Sequence, residues 1–484
     1  MVKSWAGWVH RNQFIVMVLL VTLVLRIPSL FEPYWYGDEG IYLTVGAAIN
    51  SGRVLYRDIY DNKPPLLYLT AALARGEQYW FKLIAGIWSL TTVAVFYKLA
   101  GKIWGNGQTK KAAVLIFALL TTLPVWEGNI ANAELFFLLP TVTAGLLLWN
   151  EKEIGKIFAG GVVLGMGALW KAPVLAEAVV WIFVWLGQAW RKELTMEKLV
   201  VRCVSLGVGA LVPLIASWVA LTKFGAGEAY VSAAWMQNLP YLSSWQMGTG
   251  LGLFSVKGRL AATAAVSLLA VWLNGGILAL WGLWTIFAAT LSGRPYPHYL
   301  LQAAGATALA ITSLGWGSRR ERLVGGGVIT LLVGTILMFK FWTYPTAGYY
   351  VNFLEWTLGQ KSQEQYFEWF GGGVNRNYEI ARVIMSGSRA QDRIFVWGDE
   401  PMIYALAKRL PEGKYTVAYH IKFYGVEAET MQALTASPPR YIVETSDMAG
   451  LPGLESLVNS RYKLEKEVGG ANIYRRVLSL SLKD

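Results

Sequence analysis

The sequence predicts a polytopic α-helical membrane protein with about eleven transmembrane helices and a small C-terminal α/β domain. The chain has 484 residues, of which 55% are hydrophobic and only 15% are charged. Several apolar runs approach the roughly 20 residues that a helix needs to cross about 30 Å of hydrocarbon. After residue 341 charged residues become more frequent and apolar runs become shorter, which indicates a separate soluble domain.

The net charge of +12 is explained by membrane topology rather than by nucleic-acid binding. The basic residues fall mostly in short segments between apolar runs, as the positive-inside rule predicts. The single cysteine, Cys203, excludes an intramolecular disulfide and a cysteine-based metal cluster. Membrane lipids are therefore expected among the partners, and nucleic acid is not.

A transmembrane domain is predicted over residues 1–341. Its first apolar stretch is long enough to span and lacks a small-residue cleavage site, so a retained helix is expected rather than a removed signal peptide. If Lys3 and Arg11 are cytoplasmic, the basic clusters that follow also fall on the cytoplasmic side. The predicted spans are 12–30, 81–100, 112–126, 132–149, 156–170, 173–190, 201–223, 260–273, 276–292, 299–315 and 323–341.

This topology places the C-terminal domain, residues 342–484, outside the cytoplasmic membrane. Two short apolar segments, RIFVWG at 393–398 and PRYIVET at 439–445, are predicted to be buried strands. A helix is expected over 376–386, before the first strand. Together these elements predict a small α/β domain.

The most informative polar segment is the predicted first outer loop, residues 31–80. Asp38 and Glu39 directly follow the first span and three aromatic residues. An exposed acidic turn would explain the pair without any function. The functional interpretation is a catalytic carboxylate at the membrane surface, where partial desolvation would raise the pKa of Asp38 and make it a better base.

The same loop carries three basic residues that suit a phosphate. Lys63 precedes Pro64 and Pro65, which are expected to hold the backbone extended and to present the ammonium at a fixed place. Arg53 and Arg57 could add bidentate contacts. Individually each cation could be a solvated loop charge or a lipid headgroup contact, but together they predict a phosphate-binding site.

Glu134 is a lone carboxylate at the start of the fourth predicted span. A helix N-terminus favours an acidic residue, so capping is an alternative to a catalytic role. Paired with Asp38, Glu134 could orient an acceptor or hold a divalent metal. Glu127 and Asn129 are weaker candidates nearby.

Three further residues at the predicted outer membrane edge could contact a phosphate or a sugar. His298 lies in RPYPHYLLQ, where it could equally be an interfacial anchor, and Arg294 precedes it. Lys171 lies between two short spans, where snorkelling to the interface is the simpler explanation and a phosphate contact the functional one.

On the basis of these residues, the chain resembles the GT-C superfamily of integral-membrane glycosyltransferases. It is most similar to the bacterial branch related to lipid A aminoarabinose transferase and the protein O-mannosyltransferases (family 39-like). The pattern Asp-Glu, then Tyr-x-Asp, then Lys-Pro-Pro-Leu-x-Tyr in the first loop is the most specific part of the resemblance. The chain departs from the aminoarabinose enzymes at Asn62, where they have an acidic residue before the lysine.

The resemblance implies that Asp38 is the catalytic or acceptor-orienting carboxylate, that Glu134 is its acidic partner, and that Lys63 contacts the phosphate of a polyprenyl-phosphate sugar. The predicted function is therefore an inverting transfer of one sugar, a hexose or a pentose, to an acceptor hydroxyl of a lipid, glycan or protein. No cofactor is required, and a divalent metal held by Asp38 and Glu134 is left open. The alternative is a transporter or flippase for a glycolipid or another anionic substrate.

Overall fold

A computed structural model describes residues 12–242 and 252–477 of the chain. Lys3 and Arg11, on which the predicted orientation partly depends, lie outside these residues, as does the segment 243–251. Across the described ranges, a helix overlaps each of the eleven predicted spans. These helices are Gln13–Arg26, Gln78–Trp104, Gln108–Leu120, Ala133–Leu148, Ile154–Ala168, Leu175–Trp190, Met196–Lys223, Val256–Trp272, Gly276–Ala289, Ala304–Trp316 and Arg319–Phe339.

The apolar surface of these helices is that of a membrane protein. On helix Met196–Lys223, Val200, Val204 and Val208 are about half exposed, although a helix in water would bury such side chains. In the described residues, five helical stretches are long and apolar enough to cross a membrane, and three more apolar helices are shorter. The chain is a multi-pass membrane protein, and the exact number of spans stays a prediction.

Two of the helices pack at very close range through glycine. A side-chain carbon added at Gly161 or Gly165 of helix Ile154–Ala168 would lie 2.2 Å from a carbonyl oxygen of helix Met196–Lys223. In membranes, small residues at a helix interface let two backbones approach in this way. This contact fixes the helix that leads into Lys171.

The predicted first outer loop contains two α-helices, Gly37–Asn50 and Leu66–Leu73, after the 3₁₀ turn Ile27–Phe31. Asp38 and Glu39 are in the first turn of the first of these helices, and not in an open turn. The extended backbone predicted at Pro65 is also wrong, because Pro65 has helical dihedral angles (φ −72°, ψ −26°). Its fixed φ suits the residue that starts a helix, here Leu66–Leu73.

Short helical segments connect the long helices near the predicted outer side. They carry several residues that line the cavity described below. These segments are Pro124–Trp126, Ala172–Val174, Gly227–Val231, Ser232–Met236, Asn238–Tyr241 and Pro297–Ala303.

The C-terminal part contains a four-stranded sheet in the order β1-β2-β4-β3. Its strands are β1 (Ile394–Trp397), β2 (Tyr441–Glu444), β3 (Tyr462–Val468) and β4 (Ala471–Arg476). β1 and β2 are parallel, and the other pairs are antiparallel. Around them lie the helices Thr346–Thr357, Gln363–Glu368, Gly373–Gly387, Met402–Ala407, Ala418–Tyr424, Glu427–Ala436 and Leu454–Arg461, with a 3₁₀ turn at Met448–Gly450.

Both predicted strands and the helix before them are confirmed. The hairpin of β3 and β4 was not predicted, because β3 is rich in charged residues and exposed between its two ends. Charged side chains are common on edge strands, where they discourage pairing with other chains. Gly469 and Gly470 turn the hairpin with positive φ, which only glycine adopts without strain.

The C-terminal part packs directly on the segment that carries Asp38. A side-chain carbon added at Gly40 would lie 2.7 Å from the backbone nitrogen of Met402. The Thr44 hydroxyl donates a hydrogen bond to the carbonyl of Pro401 at 3.3 Å. The helix Gly37–Asn50 and the loop after β1 are therefore held together backbone to backbone.

Candidate active site

A cavity of about 850 Å³ lies between the membrane helices and the C-terminal part. Its apolar wall comes from helices Leu175–Trp190 and Gly276–Ala289 and from residues 234–242. Its polar wall comes from helix starts and connecting segments at the ends of the long helices. The ionisable residues that line it are Asp38, Lys63, Glu127, Glu134, Lys171, Arg294, His298 and Asp399.

Asp38 and Lys63 form the central ion pair of this wall. Lys63 Nζ lies 3.5 Å from Asp38 Oδ2 and 3.9 Å from Asp61 Oδ2. The Tyr42 hydroxyl donates a hydrogen bond to Asp38 Oδ2 at 2.9 Å. Because Asp38 is in the first turn of its helix, the helix dipole also favours its negative charge.

The pKa of Asp38 moves in the direction opposite to the sequence-based prediction. Burial raises it, but the Lys63 ammonium, with further contributions from His298 and the Tyr42 hydroxyl, lowers the pKa to about 2. Asp38 is thus a carboxylate at neutral pH. The prediction was wrong because the neighbouring cations, which the sequence does not place, outweigh desolvation.

Glu134 and Lys171 form a second ion pair on the cavity wall. Glu134 is in the first turn of helix Ala133–Leu148 and Lys171 ends the turn after helix Ile154–Ala168, and their side chains are in direct contact. The ammonium also lies 4.2 Å from the centre of the Tyr299 ring. The buried Glu134 Oε2 accepts no hydrogen bond from any described residue.

A third contact joins His298 to Glu127. His298 Nδ1 lies against Glu127 Oε2, and the Tyr36 hydroxyl is 3.0 Å from the same oxygen and 3.1 Å from His298 Nδ1. His298 is only 3% exposed, which is too little for a residue that anchors the protein in the interface. Glu127, a weaker candidate in the sequence, thus belongs to the same cavity wall.

Glu39 is turned away from the cavity. Its carboxylate accepts a hydrogen bond from the backbone of Ala131 at 2.6 Å and pairs with Lys82 at 2.9 Å. Lys82 in turn pairs with Glu32 at 2.7 Å, and all three side chains are almost completely buried. Glu39 therefore belongs to a buried ion cluster, and a catalytic role is not supported by its position.

Arg53 and Arg57 also lie outside the cavity. Arg53 donates to the carbonyls of Gly413 and Pro411, both at 2.9 Å, and so binds the C-terminal part. Arg57 is half exposed and pairs with its neighbour Asp58 at 2.7 Å. Arg294, by contrast, is half-buried and lines the cavity.

The carboxylates predicted to hold a divalent metal do not fit that role in their present arrangement. Asp38 faces Lys63 and Glu134 faces Lys171, so each already has an ammonium where a metal would need to bind. No group of three or more metal-ligating side chains occurs in residues 12–242 and 252–477. A divalent cation would have to displace two lysines to use this pair.

Three residues of the C-terminal part reach this site, although no local pattern in the sequence indicates it. Asp399 and Tyr419 line the cavity. Behind them His420 is buried, with Nε2 3.5 Å from Asp61 Oδ1. Burial lowers the pKa of His420 to about 4, so its ring is neutral at pH 7. Only the tertiary fold brings residues about 360 positions apart together here.

No protein-family model matches the sequence, and no curated protein matches it. Among solved structures, ArnT from Cupriavidus metallidurans bound to undecaprenyl phosphate aligns over 98% of this chain and 98% of that chain, with 14% identity and a TM-score of 0.55. The apo form of that ArnT aligns over the same shares of both chains, with 14% identity and a TM-score of 0.53.

A looser superposition, with a TM-score of 0.47 and 14% identity, relates 96% of this chain to 73% of the Archaeoglobus fulgidus oligosaccharyltransferase in complex with Zn and sulfate. The two ArnT alignments span almost the whole of both chains, including the C-terminal part. The protein therefore has the same overall fold as ArnT.

Proposed function

We propose that the protein is an inverting glycosyltransferase that moves one sugar from a polyprenyl-phosphate carrier to an acceptor hydroxyl. The observation that carries the proposal is the Asp38–Lys63 ion pair, at 3.5 Å, on the polar wall of a cavity whose other wall is apolar. A carboxylate can receive the acceptor proton, and an ammonium can stabilise a leaving phosphate. The ArnT fold, seen in that protein with undecaprenyl phosphate, supports a lipid-linked donor.

The cavity suits both halves of such a donor. Its apolar wall includes Val179, Trp284 and Phe287, which can pack against the first units of a prenyl tail. Lys63, Lys171 and Arg294 supply positive charge for the phosphate. Since both lysines already pair with carboxylates, the phosphate would bind by sharing or replacing those partners.

In the proposed reaction the acceptor oxygen forms a bond to the anomeric carbon from the side opposite the phosphate. The bond between that carbon and the phosphate oxygen breaks, and its electron pair leaves with polyprenyl phosphate. The acceptor proton passes to Asp38, and the anomeric configuration is inverted. The cations then stabilise the charge that builds up on the leaving phosphate.

The low pKa of Asp38 is compatible with this role. A carboxylate with a pKa of about 2 is fully ionised at neutral pH but is a weak base. A bound phosphate would draw the Lys63 ammonium toward itself and add negative charge near Asp38. Both effects raise the pKa of Asp38 in the donor complex and make it a stronger base when it is needed.

Glu134 and His298 are proposed to position the substrates. Glu134 lines the cavity, and its buried Oε2, which has no partner among the described residues, can accept a hydrogen bond from a sugar hydroxyl, while its other oxygen stays with Lys171. His298, held by Glu127 and Tyr36, faces the same space. The site lies on the side of the helices that we propose to be extracytoplasmic, with the N-terminus in the cytoplasm.

The test is release of free polyprenyl phosphate by the purified protein from a panel of polyprenyl-phosphate sugars, with membrane lipid extract as acceptor. Asp38→Asn should abolish release while the protein still binds undecaprenyl phosphate. Asp58→Asn is the matched control, because Asp58 is in the same segment but pairs with Arg57 outside the cavity. Equal release by wild type and Asp38→Asn would contradict the proposal, and translocation of the lipid without sugar transfer would favour a transporter instead.

A further inference from the structure

The C-terminal part forms a further wall of the cavity, and its chemistry differs from that of the wall that carries Lys63, Lys171 and Arg294. Asp399 follows β1 by one glycine, and Tyr419 is in the helix Ala418–Tyr424. Both line the cavity. The carboxylate adds a negative charge that disfavours a phosphate, so the donor phosphate belongs on the side of Lys63, Lys171 and Arg294.

The side chain of Asp399 is oriented and still open to a ligand. Its Oδ1 accepts a hydrogen bond from the backbone nitrogen of Tyr419 at 2.9 Å, which fixes the carboxylate against that helix. Its Oδ2 accepts no hydrogen bond from the described residues. The Tyr419 side chain beside it is 42% exposed, although it packs on the His420 ring at 4.3 Å between centres.

An open carboxylate next to a partly exposed aromatic ring matches the two faces of a sugar. Carboxylate oxygens accept hydrogen bonds from sugar hydroxyls, and the flat ring packs against the C–H face of a pyranose. A simple alcohol has a single hydroxyl, whose proton goes to Asp38 in the proposed reaction, so it offers no further donor to Asp399.

This wall has a fixed position relative to Asp38. Gly40, two residues after Asp38, touches the backbone of Met402, three residues after Asp399. His420 contacts Asp61, which is 3.9 Å from Lys63. The two walls are thus joined by backbone packing and by a buried polar contact, as a site that aligns two substrates requires.

We propose that Asp399 and Tyr419 form the acceptor subsite and that the acceptor presents sugar hydroxyls, an inference that rests on the proposed glycosyl transfer. The acceptor is accordingly a glycan or a glycolipid. Asp399 acts as a specificity-determining residue, while Asp38 takes the proton.

The experiment uses full-length protein in phosphatidylcholine vesicles with a donor that the wild type consumes. Three acceptor probes are compared: octyl glucoside, which offers sugar hydroxyls on an apolar tail, decanol, which offers only an alcohol, and a serine-containing peptide. We expect transfer to octyl glucoside to exceed transfer to decanol and to the peptide by about tenfold or more in kcat/KM.

Asp399→Asn and Tyr419→Leu should then raise the KM for octyl glucoside by about tenfold, with kcat and the donor KM nearly unchanged. Asp447→Asn is the matched control, since Asp447 follows β2 at the same sheet edge and its Oδ1 also accepts a backbone hydrogen bond, from Ala449 at 2.9 Å. It does not line the cavity.

The outcomes separate this proposal from the one it rests on. A wild type that consumes no donor overturns the glycosyltransferase function and the subsite with it. Donor consumption that depends on Asp38, combined with an unchanged acceptor KM in Asp399→Asn, overturns the subsite alone. Equal use of decanol or of the peptide would do the same.

Discussion

Lys63 Nζ lies 3.5 Å from Asp38 Oδ2, so the cation proposed for the phosphate and the carboxylate proposed for the acceptor are direct neighbours. The sequence predicted Lys63 as a phosphate ligand, with Arg53 and Arg57 as additional cations, but of these three residues only Lys63 lines the cavity. We therefore expect Lys63→Ala to reduce kcat/KM for the donor by about 10²–10⁴-fold, because it removes a charge next to the leaving phosphate. Donor kinetics in vesicles measure this effect. Arg57→Ala should leave them unchanged, and similar losses in both variants would contradict the assignment.

The activity of the free enzyme should persist as the pH is lowered, until Asp38 becomes protonated. Burial raises the pKa of Asp38, but Lys63 foremost lowers it to about 2, below the ordinary value of 3.8. The stabilisation linked to this shift is present above pH 3.8 and is lost as the pH falls through about 2. Tyr42→Phe removes a hydrogen bond to the carboxylate, so it should raise this pKa.

The measurement is the acid limb of the kcat/KM profile, which should move to higher pH in Tyr42→Phe. Tyr230→Phe is the control, because its buried hydroxyl contacts Ser217 at 2.9 Å, away from Asp38. A limb that stays in place in both variants would mean that Asp38 is not the group that must be ionised.

The sequence predicted the helices and much of the polar wall because both depend on local patterns. Long apolar runs identified the helices, and the charges at their ends included Lys63, Glu134 and Lys171. Asp38 and Glu39 could not be separated, because their different roles depend on the helix that contains them. Successive residues on a helix point about 100° apart, so only one of the two faces the cavity.

The residues that the sequence misplaced or missed depend on contacts between distant segments. Arg53 binds carbonyls at Pro411 and Gly413, which no local pattern reveals. Asp399 and Tyr419 follow a short strand and begin a short helix in an ordinary-looking soluble domain. Their place on the cavity wall becomes visible only when that domain is docked on Gly40.

The buried cluster of Glu32, Glu39 and Lys82 should matter for stability and little for chemistry. Lys82→Met would leave two buried carboxylates without their cation, at a cost of about 3–5 kcal/mol. We expect a clear fall in the apparent midpoint of thermal unfolding in detergent. Lys466→Met removes an exposed ion pair with Glu379 and should change the midpoint little.

Glu39→Gln completes this test. It should lower the midpoint but leave the activity per folded molecule close to that of the wild type, since Glu39 does not line the cavity. A stable Glu39→Gln protein without activity would restore the catalytic role that the sequence suggested.

Chelation of divalent metals should not reduce the activity. Asp38 and Glu134, the two carboxylates considered for a metal, each face a lysine ammonium that already balances their charge. Donor turnover measured after dialysis against EDTA should equal turnover before it. Loss of activity that returns with one added metal would show that the lysines move aside and that the ion pairs are not the working arrangement.

The contact between Gly40 and Met402 should hold the part of the cavity wall that carries Asp399 against the helix Gly37–Asn50. A methyl group at Gly40 would meet backbone nitrogen at 2.7 Å, and backbone cannot move aside as a flexible side chain can. We expect Gly40→Ala to cost about 1–3 kcal/mol through this clash. The measurements are the apparent thermal midpoint and the rate of proteolysis within residues 342–477.

Gly37→Ala is the matched control for stability, because it lies in the same helix and an added side-chain carbon there meets nothing within 4 Å. If the C-terminal part is held chiefly by this contact, Gly40→Ala should also raise the acceptor KM, since Asp399 would shift relative to Asp38. A Gly40→Ala protein as stable and protease-resistant as Gly37→Ala would show that the two parts tolerate separation at this point, and the fixed alignment of the two walls would then need another cause.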